Sequence, residues 1–457
     1  MYDIIIIGAG PGGYEAALKA AALGAKTALV EKREIGGTCL NRGCVPTKAL
    51  LHAAQLCREA RDGAAIGVRT SDVQPDLRTM YERKDAVVAT LRSGIEGLLK
   101  RAKVDVLRGT GTILGPGKVR LTGETTAEYE TKYILAATGA EPARPPIPGL
   151  ELAMSSDELL AGAERLPSSL VIIGGGVIGV EFATFYSDLG CAVTVLEGLD
   201  RLLPGMDKEL GQGLAATMKK RGVSIQVNAM VQRLEQTEDG IFVHYTQKEK
   251  PASAVGEAVL CAIGRRPYWQ GLFAEGLAPA TEGRRLKVDG NFETSIPGVY
   301  AIGDLSSPVQ LAHVATAQGL ACVERLFGGA PETDLQLIPG CVYSRPEIAS
   351  VGLTEAQAKA AGIPVAAAKA LMGGNARTLI VGGDRGFIKL VANAETGALI
   401  GAQLMCERAT DLVAEFSAAI ANHLTARQLL RAMRAHPTFS EAVTPALEAL
   451  EINKRKS

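Results

Sequence analysis

Two cysteines, Cys39 and Cys44, stand five residues apart in a stretch that runs from Gly36 to Lys48. The stretch predicts the start of a helix. Five residues of ideal helix rise about 7.5 Å, whereas the Cα atoms of a disulfide lie roughly 4.4–6.8 Å apart. If the cysteines pair, the helix must be distorted between them, and Gly43 is well placed for that. A strained, accessible disulfide is easily reduced, which favours redox chemistry. The alternative is two unrelated core cysteines, the usual role of a free cysteine.

A glycine-rich turn follows the first predicted strand. The apolar run Asp3–Ile7 ends at G-A-G-P-G-G, an Ala-rich helix continues to about Leu23, and a second strand ends at Glu31. In such a turn one glycine makes the bend, one lets the backbone approach a pyrophosphate, and one packs helix on strand. The N-terminus of the following helix binds the pyrophosphate anion. The acidic residue at the end of the second strand accepts a hydrogen bond from a ribose 2′-OH. The pattern predicts a dinucleotide site that includes Gly8, Gly10, Gly12, Gly13 and Glu31.

The same unit is repeated 166 residues later. Gly174, Gly176, Gly179 and Glu197 repeat the positions of Gly8, Gly10, Gly13 and Glu31. A duplicated unit predicts two dinucleotides rather than one. Because an acid occupies position 197 and no arginine occurs in the next three residues, the second site is predicted to prefer NAD over NADP.

Composition and length limit the classes of protein. A chain of 457 residues fits about three domains. With 49 basic and 49 acidic residues, the net charge argues against a general nucleic-acid or anionic-membrane surface. No apolar run predicts a membrane span, and no signal peptide is visible, so we expect a cytoplasmic protein. Five scattered histidines without a Cys/His cluster predict no metal site.

A histidine near the C-terminus is the remaining candidate for chemistry. His436 precedes a proline, and Glu441 follows five residues later. Such a histidine is more often a solvated loop residue. The alternative is an imidazole oriented by a carboxylate, as in acid–base catalysis.

The segment GGTCLNRGCVPTK resembles the active-site segment of the flavoprotein disulfide reductases, and most of all the dihydrolipoamide dehydrogenase family within the class I pyridine nucleotide-disulfide oxidoreductases. Both nucleotide motifs, VYAIGD at 299–304 and HPTFSE at 436–441 extend the resemblance over essentially the whole chain. Two residues depart from common patterns. Thr47 stands where glutathione reductases usually carry a second lysine, and Arg42 stands where a small apolar residue is usual.

The resemblance implies an α/β fold with two Rossmann-like nucleotide-binding domains and a C-terminal α+β dimerisation domain. The FAD-binding domain is then discontinuous, with parts at 1–145 and 268–336. The NAD-binding domain covers 146–267, and the interface domain of a homodimer covers 337–457.

The activity implied is the oxidation of protein-bound dihydrolipoamide by NAD⁺, through FAD and a redox disulfide, in a 2-oxoacid dehydrogenase or glycine cleavage complex. Cys39 is then the interchange thiol, and Cys44 lies on the flavin side. The resemblance makes His436 the base and Glu441 its partner. It also pairs Lys48 with Glu181 beside the flavin; the alternative is an exposed lysine and a helix-surface acid.

The resemblance assigns further residues to the cofactors. For FAD these are Lys32, Gly37, Thr38, Lys48, Gly111, Thr138, Gly139, Asp304 and Ala312, and for NAD they are Val231 and Gly264. Taken alone, Asp304 would instead be interpreted as a helix N-cap. The other cysteines are expected to be packing residues: Cys57, Cys191, Cys261, Cys322, Cys341 and Cys406.

Three alternatives remain. A mercuric reductase is disfavoured because the tail 451–457 has no cysteine pair. A glutathione reductase is disfavoured by Thr47 and Glu197. A non-catalytic flavoprotein subunit is disfavoured because Cys39, Cys44 and His436 are all present.

Overall fold

The computed structural model describes residues 1–124, 126–383 and 385–456. A first sheet of seven strands contains the N-terminus. Its parallel strands, in spatial order, are Asp105–Arg108, Thr27–Glu31, Tyr2–Ile7, Thr126–Ala136 and Val299–Ala301. The antiparallel strands Lys118–Thr122 and Thr110–Gly115 complete it. The run Ile4–Ile7 is buried throughout, as expected for a parallel strand that is covered on both faces.

The helices that accompany the first sheet are Pro11–Ala22, Gly37–Arg42, Cys44–Asp62, Leu77–Arg101 and Ala312–Phe327. The first and last of these pack against each other. The approach is close, because a Cβ on Gly319 would lie 2.5 Å from the Gly12 carbonyl oxygen. The chain therefore returns to the first sheet after it has built the second.

The second sheet has five parallel strands. In spatial order they are Ser224–Val227, Ala192–Glu197, Ser169–Ile173, Ala258–Cys261 and Met154–Ser155. Its helices are Ser156–Ala161, Val177–Leu189 and Lys208–Lys220. Strand Ser169–Ile173, helix Val177–Leu189 and strand Ala192–Glu197 repeat the strand–helix–strand unit that opens the first sheet, as the duplicated motif predicts.

Smaller antiparallel elements accompany the two sheets. A three-stranded ribbon consists of Ala229–Thr237, Gly240–Gln247 and Lys250–Gly256, and a short hairpin of Thr281–Glu282 and Arg285–Leu286. Ala140–Pro142 pairs with Arg265–Pro267, so the two passages of the chain between the sheets are hydrogen-bonded to each other. Five 3-10 helices lie at Gly63–Ile66, Leu150–Leu152, Gly303–Leu305, Met372–Gly374 and Ser440–Val443 within the described residues.

The C-terminal part is an antiparallel sheet with helices. Its strands, in spatial order, are Gly340–Val342, Glu347–Gly352, Leu399–Cys406, Phe387–Asn393 and Val365–Leu371. Its helices are Glu355–Ala360, Ala376–Ile380, Ala409–Ala421, Ala426–Leu429 and Thr444–Lys456. Leu404, Phe416 and Leu447 lie in its core. The predicted fold class is confirmed: two Rossmann-like units and an α+β domain.

One predicted helix is shorter than expected. The pattern predicts a helix over Thr425–Met433, but the helix spans Ala426–Leu429. Ala426 and Leu429 are buried, whereas Met433 is 99% exposed. Short helices need packing to persist, and no buried face continues as far as Met433 to support further turns.

Candidate active site

A cavity of about 1520 Å³ lies between the two nucleotide-binding units. We refer to it as the main cavity. A pocket for one ligand measures roughly 300–1,000 Å³, so this volume suits two ligands. The predicted site residues that line it are Gly8, Gly10, Gly12, Glu31, Lys32, Gly37, Thr38, Cys39, Cys44, Lys48, Thr138, Gly139, Gly174, Gly176, Glu181, Glu197, Val231, Gly264, Asp304 and Ala312.

Some predicted residues lie outside this lining. Gly13 and Gly179 are packing positions, because a Cβ would lie 1.8 Å from the Gly8 oxygen and 2.0 Å from the Gly174 oxygen, respectively. Gly111 lines a smaller adjoining cavity that shares Gly8, Glu31 and Thr138 with the main one. His436 and Glu441 belong to neither cavity lining.

The two glycine-rich turns form equivalent cradles. Gly8 (φ +105°) and Gly174 (φ +110°) have left-handed backbones, and a Cβ would lie 2.4 and 2.5 Å from the carbonyl oxygens of Ala137 and Ala262. By contrast, a Cβ on Gly10 or Gly176 would meet nothing within 4 Å. Because both of these glycines line the main cavity, a pyrophosphate can approach the backbone there. The structure therefore fits a dinucleotide at each turn.

The two acids at the strand ends are also equivalent. Glu31 accepts hydrogen bonds from the backbone N–H groups of Ala9 (2.8 Å) and Arg33 (2.7 Å). Glu197 accepts from those of Gly175 (2.6 Å) and Leu199 (2.8 Å). Each carboxylate thus braces its own glycine turn, a role that the sequence reasoning missed. A carboxylate has about four lone-pair sites, so acceptor capacity remains for a ribose hydroxyl.

The two cysteines lie at a break between two helices. Helix Gly37–Arg42 carries Cys39, and the next helix begins at Cys44. A Cβ on Gly43, which separates them, would lie 2.9 Å from the Thr38 oxygen and 3.3 Å from the Cys39 Cα. The expected helix distortion is therefore present. Both cysteines are free thiols in this structure.

The surroundings of the two thiols give them different acidities. The hydrogen bond from Cys39, aided by the charge of Lys48, lowers the pKa of Cys44 to about 7, although burial and Glu181 act in the opposite direction. The same hydrogen bond, together with burial, raises the pKa of Cys39. Cys44 is therefore the more acidic of the two thiols.

Lys48 and Glu181 form an ion pair beside this thiol. The Lys48 Nζ lies 2.8 and 2.7 Å from the two carboxylate oxygens of Glu181, which is buried. The alternative of an exposed lysine and a helix-surface acid is therefore wrong. The sequence reasoning missed a third member, Tyr343. Its backbone N–H donates to Glu181 (3.1 Å), and its ring centroid lies 4.6 Å from Nζ.

Asp304 lies in the 3-10 helix Gly303–Leu305 and faces the main cavity. The following helix is capped by Leu311, so Asp304 is not its N-cap. Burial raises the pKa of Asp304, and the charge of Arg265 partly opposes this. A half-buried carboxyl group that faces a cavity suits an acceptor for ligand hydroxyls.

His436 and Glu441 are oriented as the sequence predicts. The His436 Nδ1 lies 2.9 Å from the Glu441 Oε2, and the Glu441 Oε1 accepts from the Thr438 N–H at 3.2 Å. The hydrogen bond with His436 lowers the pKa of Glu441. The imidazole is 73% exposed. The imidazole is therefore held by Glu441 on one side and exposed to solvent on the other.

The two departures from common patterns have structural roles. The Thr47 hydroxyl donates to the Gly43 oxygen at 2.7 Å, which holds the break between the two helices. Arg42 forms an ion pair with Glu34, and both side chains line the main cavity.

Comparison with known proteins places the chain in a family. Residues 2–319 match the model of the pyridine nucleotide-disulphide oxidoreductases, and residues 338–447 match the dimerisation domain of the same group. The chain belongs to the pyridine nucleotide-disulphide oxidoreductase family. It is a flavoprotein disulfide oxidoreductase with FAD and NAD as its cofactors, as the resemblance implies, and its dimerisation domain supports a homodimer.

Individual relatives agree with this assignment. A dihydrolipoyl dehydrogenase of Bacillus subtilis is 38% identical, with 98% of each chain covered. One of Geobacillus stearothermophilus is 38% identical, over 98% of this chain and 96% of the relative. Among solved structures, LpdA from Mycobacterium tuberculosis superposes with a TM-score of 0.89 at 29% identity, covering 98% of this chain and 99% of LpdA. The HOCl-induced flavoprotein disulfide reductase RclA from Escherichia coli gives 0.86 at 28% identity with the same coverage.

The described residues contain neither a membrane-spanning helix nor a metal-binding cluster. No described helix combines the length and apolar character that crossing a membrane requires. Within the described residues, no group of three or more metal-ligating side chains comes together.

Proposed function

We propose that this chain is a dihydrolipoyl dehydrogenase, which oxidises protein-bound dihydrolipoamide to lipoamide and reduces NAD⁺ to NADH, releasing one proton. The observation that carries the proposal is the redox cysteine pair in the wall of a cavity that also holds two dinucleotide cradles. The relatives of that name, which match over nearly the full length, support this substrate.

In this proposal Cys39 and Cys44 work as a disulfide–dithiol couple. A substrate thiolate attacks the Cys39 sulfur, which breaks the disulfide and leaves the electron pair on Cys44. A thiol with a lowered pKa is the better leaving group, and the pKa of Cys44 is lowered to about 7. The second substrate thiolate then attacks the mixed disulfide, forms lipoamide and releases Cys39 as a thiolate.

His436 of the partner subunit is the proposed base. The thiolate and not the thiol is the nucleophile, so a proton acceptor is needed at the substrate. The Nδ1 of the imidazole is turned to Glu441, which directs the other ring nitrogen outward as the acceptor.

The cofactors are proposed to occupy the two halves of the main cavity. Gly10 and Glu31 would hold FAD at the first cradle, and Gly176 and Glu197 would hold NAD at the second. The FAD set also includes Asp304, Lys32, Gly37, Thr38, Gly111, Thr138, Gly139 and Ala312, and the NAD set includes Val231 and Gly264. When bound, FAD supplies the two-electron couple between the cysteines and NAD⁺. Lys48 holds positive charge at the Cys44 side of the site, and Glu181 fixes its position.

The proposal extends to domains, partners and location. We propose domain boundaries at residues 145, 267 and 336, so that the FAD-binding domain is discontinuous, with parts at 1–145 and 268–336. The partners would be lipoylated components of multienzyme complexes. We also propose a cytoplasmic location. Pull-down of lipoylated proteins from fractionated cells tests both partner and compartment.

The activity is tested with the purified holoenzyme. We expect NADH to form from dihydrolipoamide and NAD⁺, and much slower turnover of glutathione disulfide or mercuric ion with NADPH. Faster turnover of either alternative pair would reassign the substrate. A protein that binds FAD but turns over none of the three would support the non-catalytic alternative.

The preference for NAD⁺ is a separate prediction that concerns Glu197. A carboxylate beside the ribose repels a 2′-phosphate, so we expect kcat/KM for NAD⁺ to exceed that for NADP⁺ by roughly a hundredfold or more. Glu197→Gln keeps a hydrogen-bond acceptor for the glycine turn but removes the charge, and it should narrow this ratio. Asp200→Asn is the matched control, because Asp200 is an exposed acid three residues further on. Equal kcat/KM values for the two nucleotides in the wild type would contradict the prediction.

A further inference from the structure

We propose that Tyr343, from the C-terminal domain, is a positioning residue that holds the Lys48 ammonium between Glu181 and the redox cysteines. The inference rests on the proposed function in one respect: it takes Cys44 as the thiol beside the flavin.

The contacts of Tyr343 fix both members of the ion pair. Its N–H donates to the Glu181 Oε1 at 3.1 Å, and its ring lies 4.6 Å from the Lys48 Nζ, within cation–π range. Two carboxylate oxygens occupy one side of the ammonium at 2.8 and 2.7 Å. The negative face of the aromatic ring therefore attracts the same cation from a second direction, and a lysine with four rotatable bonds loses its alternative positions.

Three parts of the chain meet at this ammonium. Lys48 lies on helix Cys44–Asp62, Glu181 lies on helix Val177–Leu189, and Tyr343 directly follows strand Gly340–Val342. These parts of the chain share a hydrophobic core. The apolar core around Phe182 and Phe185 continues into Val342 and Ile348 of the C-terminal sheet.

A second contact anchors the segment that carries Tyr343. The Arg345 guanidinium lies 4.0 Å from the Asp188 carboxylate, and Arg58 binds the same carboxylate at 2.6 Å. Asp188 is seven residues after Glu181, so the two acids share one face of their helix. The segment that carries Tyr343 therefore contacts helix Val177–Leu189 at two points, Glu181 and Asp188, and the second contact restrains the segment beside Lys48.

The consequence for the chemistry follows from the charges around Cys44. The groups that face it are Cys39, Lys48 and Glu181, and the groups beside Tyr343 are Cys341 and Glu347. In the proposed dimer, His436 of the partner subunit joins them. Among these groups Lys48 is the one whose positive charge lowers the pKa of Cys44. Loss of the ring lets the ammonium move away, so it should raise that pKa.

The test is a pH titration of the Cys44 thiolate in FAD-loaded Cys39→Ser protein, followed by the long-wavelength absorbance that a thiolate beside a flavin produces. Serine retains a hydroxyl donor toward Cys44. In this background we expect Tyr343→Leu and Tyr343→Met to raise the pKa of Cys44 by roughly half a pH unit. At a pH below the pKa, this lowers the thiolate fraction about threefold. Tyr343→Phe keeps the aromatic face and should leave the pKa near the parent value.

Two controls isolate the ring–ammonium contact. Phe387→Leu removes a similar pair in the same domain, where the Lys369 Nζ lies 4.7 Å from the Phe387 ring, away from the main cavity. It should not change the pKa of Cys44. In Lys48→Met protein, the exchange of Tyr343 for leucine should also have no effect, because the cation is gone.

The outcomes separate this inference from the proposed function. If the parent protein gives no thiolate band, Cys44 is not beside the flavin and the proposed function fails. If the band is present but its pKa is unchanged in folded, FAD-loaded Tyr343→Leu or Tyr343→Met protein, Tyr343 does not position Lys48. An equal shift in Tyr343→Phe would assign the effect to the hydroxyl and overturn the role of the ring.

Discussion

Cys44→Ser is expected to lower NAD⁺-dependent oxidation of dihydrolipoamide by at least roughly a thousandfold. The substrate gives up two electrons as it forms its own disulfide, and the protein accepts them by breaking the bond between Cys39 and Cys44. A serine oxygen cannot form that bond, so the acceptor is absent even when both cofactors are bound. Steady-state assay of the FAD-loaded variant measures the effect.

Two controls show whether the loss is specific to the disulfide. Cys57→Ser is the matched exchange, because Cys57 lies on the same helix but outside the main cavity, and it should keep the activity. The Cys44→Ser protein should still pass electrons from NADH to ferricyanide, since that route does not use the cysteine pair. If Cys44→Ser retained dihydrolipoamide oxidation within tenfold of wild type, the disulfide mechanism would be wrong.

Mixed dimers of two inactive variants, Cys39→Ser and His436→Gln, are expected to recover roughly a quarter of wild-type activity. His436 is exposed and lies outside the cavity that Cys39 lines in its own chain. In the proposed two-fold dimer, each site would consist of the cysteines of one subunit and His436 of the partner subunit. In a mixed dimer both substitutions fall in one site, and the other site carries neither. Random reassociation of equal amounts gives about half mixed dimers, each with one intact site of two.

The experiment is to unfold, mix, refold with FAD and assay. Each variant refolded alone should stay inactive. The matched control mixes two variants that both alter the cysteine side of the site, Cys39→Ser and Cys44→Ser. Each site of that mixed dimer carries one substituted cysteine, so no activity should return. Absence of recovery in the Cys39/His436 mixture, despite proven mixed dimers with bound flavin, would mean that both groups act within one chain.

Much of the cofactor architecture could be predicted because its requirements are local. A turn that needs a left-handed backbone at Gly8, and open space at Gly10, restricts residue types within a few positions of the chain. The repeat of these positions at Gly174 and Gly176 made the second cradle equally visible. The distortion at Gly43 was expected on the condition that the two cysteines pair, since an unbroken helix would hold their Cα atoms too far apart for a disulfide.

Other parts could not be predicted because packing decides them. The helix expected over 425–433 ends at Leu429, since no buried face supports the later turns. The ribbon over residues 229–256 was also missed, although Asp239-Gly240 between two alternating segments is a local hairpin signal. The bracing of each glycine turn by Glu31 and Glu197 was missed as well, because it depends on the positions of backbone N–H groups after folding.

The sequence by itself determined the chemical groups of this protein: the cysteine pair, the two dinucleotide cradles and the His436–Glu441 pair. Each of these is a short segment whose spacing already restricts its geometry. Only the tertiary structure decided which groups meet. Lys48, Glu181 and Tyr343 come from three parts of the chain, and their contact arises because the C-terminal sheet packs its core against the helices of both nucleotide units. The physical reason is that long-range contacts arise from the burial of apolar surfaces. The local sequence shows that a surface is apolar, but it does not show which other surface will cover it.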